Sequence, residues 1–105
     1  MMEWFLYKEA GLYCVPGDFF VDPHKPVARA VVSHAHSDHY PRYCNEVYAT
    51  EETLSIGKLR YMNTAAKIGH PREVGNPFAI GPVTVTFYHA GHILGSVQVL
   101  LEYNG

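Results

Sequence analysis

With 105 residues, 48% of them hydrophobic and 17% charged, the chain holds enough apolar material for one core and too little charge to remain disordered. A net charge of −2, a pI of about 6.4 and the lack of any basic run exclude a chain that grips a long nucleic acid by electrostatics alone. The longest apolar runs are strand-length and Met1-Met2-Glu3-Trp4 lacks the basic start of a secretory signal, so no membrane span is expected and the expected location is cytoplasmic.

In chain order, residues 4–8, 11–14, 18–22 and 28–32 read as successive strands, with turns at Ala10-Gly11, Pro16-Gly17 and between Pro23 and Pro26. Cys14 and Cys44 match no zinc-knuckle spacing, and in a reducing compartment both read as core or near-surface thiols. Phe5, Tyr7, Phe19, Phe20, Phe87 and Tyr88 fall in strand segments, where core packing is a simpler account than base stacking. Asp22 ends the third strand just before Pro23, where its residue type reads as an ordinary turn starter.

The fourth strand runs into His34-Ala35-His36-Ser37-Asp38-His39, four metal-binding side chains within six residues. His34 and His36 are two apart, so in an extended segment they point to one side and can grip one ion. Asp38 and His39 are adjacent and cannot both fold back onto that ion without strain. They suit a second ion beside it, at the roughly 3.5–4 Å separation of two-metal hydrolases. Imidazole and carboxylate together fit zinc or a similar first-row divalent ion, which makes a hydrolytic metal centre the reading of choice over a histidine-rich surface loop. Tyr40 follows directly, where its hydroxyl can reach substrate or a ligand.

Residues 47–50 then read as a short strand ending in a cap. Thr50 precedes Glu51 and Glu52, which favour a helix N-terminus, and Leu54, Ile56, Leu59 and Met62 give the helix an apolar side interrupted by Gly57. Lys58, Arg60, Lys67 and Arg72 read as its solvated face rather than as a nucleic-acid groove. Gly69, Pro71, Gly75 and Pro77 break the chain before two closing strands, 83–88 and 97–101. Between those strands lies His89-Ala90-Gly91-His92-Ile93-Leu94-Gly95-Ser96, a glycine-bracketed loop whose backbone can approach a metal closely.

The complete H-x-H-x-D-H pattern after an apolar strand resembles the metallo-beta-lactamase superfamily. The A-G-H-I-L-G-S stretch resembles its nucleic-acid-processing branch, the beta-CASP nucleases and their relatives among cross-link repair proteins, ligase-associated exonucleases and messenger-RNA 3′-end-processing-like factors. The resemblance implies that His34, His36 and His92 hold one ion, that Asp38 and His39 help hold a second and carry catalysis, and that Asp22 buttresses the histidine loop. His89 is implied as a strand-end neighbour of the ligands rather than a ligand. The implied cofactor is zinc, two divalent ions in the complete fold, with manganese as an alternative. The implied activity is metal-dependent hydrolysis of phosphodiester bonds in DNA or RNA, of the exonuclease or RNA-processing type.

The implied fold is α/β (α+β), a four-layer αββα sandwich of two similar halves. Residues 1–105 are expected to form a single partial domain, its N-terminal half, β-rich with one or two helices and without the cap domain, the bridging Asp or the later His of the family. Such a chain is either a fragment or a natural half-domain, and an uncovered apolar sheet face makes a homo-oligomer the expected assembly. Two other readings stay open. One is a thioesterase-type or lactamase-type hydrolase of the same superfamily with the same ligands, and the other is a non-catalytic metal-binding assembly module.

Overall fold

In a computed structural model, which describes residues 4–34, 43–61, 66–90 and 96–103, the chain forms a β-rich α+β domain with one helix among the described residues. A six-stranded sheet has the order β1 (Phe5–Lys8), β2 (Gly11–Cys14), β3 (Phe19–Val21), β4 (Arg29–Val31), β5 (Glu46–Ala49) and β6 (Ile68–Pro71). Its first three strands run as an antiparallel meander, and β3 to β6 are parallel. Helix α1 (Glu51–Tyr61) crosses from β5 to β6. A second, antiparallel sheet is made of β7 (Phe78–Ile80), β8 (Val83–His89) and β9 (Val97–Glu102).

The period-2 alternation of strands puts a different apolar set on each face of the larger sheet. Ala30, Val32, Val47 and Ala49 are buried on one face together with Cys44, and Leu54 and Ile56 of α1 pack on them. On the other face Cys14, Phe19 and Val31 meet Ile80, Val83, Val85, Phe87 and Val97 of the smaller sheet in the main core. The described architecture is therefore helix, sheet, sheet. Full burial of a Val or Phe side chain contributes roughly 1.5–3 kcal/mol, so the inter-sheet seam is the principal source of stability.

This arrangement changes the expected assembly. The apolar face of β8 and β9 is covered by the chain's own six-stranded sheet, while Tyr88, Gln98, Leu100 and Glu102 at alternate positions are exposed. The sheet face on which the expected homo-oligomer was built is thus occupied from within.

Several local readings also change. Strands β6 and β7 occupy stretches expected to break the chain. Pro71 is tolerated because β6 is an edge strand, and Gly69 fits because its α-carbon faces Leu54, whose methyls would lie 3.3 Å from a Cβ there. Gly81, at φ 59°, supplies the positive φ that the first position of a primed two-residue hairpin turn uses, and so joins Ile80 to its partner Val83. Leu59 is 81% exposed, not part of the helix's apolar side, which consists of Thr53 and Gly57 flanked by Leu54 and Ile56. Met62 lies outside the described residues. Tyr7 is 89% exposed and Phe20 packs on Tyr13 outside both cores, so core packing accounts for Phe5, Phe19 and Phe87 but not for Tyr7, Phe20 or the half-exposed Tyr88. Arg72 and Lys67 fall outside α1, and Arg72 stacks over the rings of Tyr48 and Phe78.

Candidate metal centre

Parallel strands β3 to β6 all deliver their C-terminal ends to one end of the sheet, the end at which open α/β sheets bind ligands. Strand β3 ends at Val21, one residue before Asp22, and β4 ends two residues before Ser33-His34. The main chain of Asp22 is in the left-handed region, φ 45°, which a short polar residue tolerates better than most. Its amide N donates to the Val31 carbonyl at 2.9 Å, extending the β3–β4 ladder. Its carboxylate then receives two hydrogen bonds from one residue: the Ser33 amide donates to Oδ1 at 2.8 Å and the Ser33 hydroxyl to Oδ2 at 2.7 Å. Ser33 Oγ also lies 2.8 Å from Nδ1 of His34. Asp22 thus has a left-handed main chain and a carboxylate bonded twice to Ser33, the residue before His34.

The second sheet reaches the same place. The Val97 amide at the start of β9 donates to the Ser33 carbonyl at 2.9 Å, and the Ala90 amide to the Ser96 carbonyl at 3.2 Å. Through these two bonds the segment entering at His34 and the segment between Ala90 and Ser96 begin and end side by side. His89, the last residue of β8, pairs with Val97 in register and is exposed.

His36, Asp38, His39, Tyr40 and His92 lie outside the described residues. Among the described residues no group of three His, Cys, Asp or Glu side chains is gathered for a metal ion. What can be tested is His34, whose chemistry fits. A histidine that ligates a metal through one ring nitrogen has the other held by a polar neighbour, and Ser33 stands at Nδ1.

A second polar group lies at the far end of the parallel strands. Glu46 pairs with Arg29 at 3.5 Å and with His70 at 3.0 Å, and His70 stacks on Tyr48 with ring centroids 4.3 Å apart. Sequence reasoning did not single it out, since its members come from three strands, and Glu46 and His70 sit outside any motif.

The fold and the described part of the site define a β-rich α+β domain in which two histidine-bearing loops leave one end of a two-sheet sandwich. No protein-family model matches the chain. It is similar to a curated protein of Opitutus terrae (strain DSM 11246 / JCM 15787 / PB90-1) named "Probable DNA ligase", with 35% identity over 103 residues. The matched region is 97% of this chain and 10% of that protein, so the chain spans about a tenth of its relative's length.

Proposed function

We propose that the chain is part of a metallo-beta-lactamase-fold hydrolase that cleaves phosphodiester bonds in nucleic acid. The observation that carries this reading is the bond from the Val97 amide to the Ser33 carbonyl, which joins the residue after the A-G-H-I-L-G-S stretch to the residue before H-x-H-x-D-H. A metal shared between two sequence-distant segments requires the strand ends that flank them to meet, as these do. The helix–sheet–sheet layering supports the same reading, as it corresponds to three of the four layers of the αββα sandwich.

The choice of substrate rests on two supports. A-G-H-I-L-G-S resembles the nucleic-acid-processing branch, which includes ligase-associated exonucleases, and the chain is similar to a tenth of a protein named as a probable DNA ligase. That name describes a far longer protein, so ligation itself is not carried over to this chain. A segment of such a protein with hydrolytic motifs fits a role in trimming or processing strand ends, DNA being favoured over RNA by the relative's name.

In this reading His34, His36 and His92 hold one zinc-class ion, and Asp38 and His39 contribute to a second position. Bound ions supply Lewis acidity and a lowered water pKa at neutral pH. The chain's own residues do the rest: Asp22 and Ser33 hold the first histidine, and the β8 and β9 ends bring the second loop to it. In this reading Asp38 would orient the attacking water as well as bind metal.

The test uses the longest native reading frame that contains this chain, purified without a polyhistidine tag. Its zinc content, and its cleavage of end-labelled DNA and RNA beside a thioester and a lactam, separate the nuclease from the other hydrolases. Replacing Asp38 or His39 by Ala should abolish cleavage with the fold intact, and His92→Ala should remove most of the bound metal. Cleavage at the wild-type rate by the Asp38 and His39 variants would refute the assignment, and turnover of the thioester or lactam alone would move it to another branch.

A further inference from the structure

The chain of hydrogen bonds from Asp22 through Ser33 to His34 has a direction. A hydroxyl carries one proton, and that of Ser33 goes to Oδ2 of Asp22 at 2.7 Å, because a carboxylate can only accept. The oxygen of Ser33 then faces Nδ1 of His34 at 2.8 Å with lone pairs and no proton to give. Only a protonated Nδ1 makes that contact favourable. The main chain holds the middle of the relay still: the Ser33 amide is bound to Oδ1 of Asp22, and its carbonyl accepts from Val97.

From this we infer that Asp22 and Ser33 act as a relay that fixes His34 in the Nδ1–H tautomer, so that His34 offers Nε2 as its metal-ligating atom. Ser33 is thereby a positioning residue of the centre, a role that no metal-ligand motif assigns to it. The inference rests on the proposed metal centre and specifies the atom through which its first ligand works. Its physical basis is general. Neighbours that hold the non-ligating nitrogen of a histidine fix both tautomer and ring orientation, and their loss typically costs 10–100-fold in metal affinity.

The relay makes an unusual prediction for one conservative change. In Asp22→Asn the side-chain carbonyl can still accept from the Ser33 amide, but the amide nitrogen then faces the Ser33 oxygen and donates to it. The hydroxyl is then free to turn its proton toward Nδ1, which favours the Nε2–H tautomer of His34 with its ligating atom blocked. A residue that only packs the loop would not reverse a tautomer.

The experiment reads the histidine ring nitrogens of the 105-residue chain, labelled with nitrogen-15 and freed of metal, by long-range proton–nitrogen correlation, the His34 signals being assigned by their loss in His34→Ala. Wild type is expected to show the Nδ1–H form at His34, Asp22→Asn the Nε2–H form, and Ser33→Ala a mixture. Zinc affinity measured by competition with a chelating dye should fall about 10–100-fold in Ser33→Ala and recover in Ser33→Thr, which restores the hydroxyl. Should Ser33→Ala fail to fold, the wild-type tautomer still decides. A wild-type His34 in the Nε2–H form, or Ser33→Ala with undiminished zinc affinity, would overturn the relay. A wild type in the Nδ1–H form that takes up no zinc would overturn the metal centre instead, so the two failures are distinguishable.

Discussion

Cys14 and Cys44 belong to different cores, one between the sheets and one beneath α1, and both are free and fully buried. Burial pushes each thiol above its ordinary value of 9.0, and for Cys44 the hydrogen bond from the Val27 amide offsets this only in part. Tyr13 is shifted the same way, up from 10.0, chiefly because its hydroxyl donates to Asp18. The sign follows from linkage: a group whose folded value is raised keeps its proton longer in the folded state, so its contribution to stability is complete below the unfolded value and is lost as pH climbs through the folded one. Urea midpoints are therefore expected to hold from neutral pH to about 9 and to fall above it. Cys14→Ala and Cys44→Ala should flatten that fall, and neither native thiol should react with a disulfide reagent at the rate seen in urea. Fast labelling of the native protein would contradict the burial. At this scale the sequence was informative about type and less so about placement. Nothing near Cys14 or Cys44 marks which core each enters, and Asp before Pro reads as a turn starter, whereas the two bonds that its carboxylate receives from Ser33 follow from the pairing of β3 with β4.

Helix α1 shows which element signals are strong. Thr50 caps it as its neighbours imply: its hydroxyl accepts from the Thr53 amide at 3.2 Å and its carbonyl from the Leu54 amide at 3.0 Å, with Glu51 and Glu52 in the first turn. Thr50→Ala should cost about 1 kcal/mol in a chemical-denaturation measurement. Leu59→Gln should stay within about 0.5 kcal/mol, as a surface change away from special features. A loss at Leu59 comparable to that at Thr50 would mean that its exposed side chain is covered in solution. The cap was legible because it is local, whereas the helix's inward side was legible only in part: Leu54 and Ile56 pack on the sheet as expected, but the sheet accepts Thr53 and the small Gly57 while Leu59 is exposed. Strands β6 and β7 escaped for a related reason. Gly69 and Pro71 are breakers in isolation, but an edge strand needs neither a donor at every position nor bulk beneath a helix. The Gly81-Pro82 pair between Phe78-Ala79-Ile80 and Val83-Thr84-Val85 was a hairpin signal available in the sequence.

At the scale of the whole molecule, the motifs located the site's end of the domain because they sit at strand ends, and strand ends follow from alternation. How the strands divide between sheets was not legible, since a buried run such as Val83 to Tyr88 reads the same whether its partner sheet is in the same chain or another. The division decides how the chain behaves alone. Phe87, Val85 and Val83 are completely buried against Phe19, Cys14 and Val31, so among the described residues this sheet face does not call for a second copy. Among the described residues β9 pairs with β8 alone, and its other side is a sheet edge carrying Gln98, Leu100 and Glu102 in exposed positions. Edges of this kind associate less readily when charged. The 105-residue chain is accordingly expected to be a monomer in light scattering at micromolar concentration, and Phe87→Ala to cost about 3–5 kcal/mol, because it opens the seam that makes the monomer self-sufficient. A stable dimer that disappears in Leu100→Lys would place the contact at the β9 edge. A dimer indifferent to that change would mean that the inter-sheet seam is not closed within one chain.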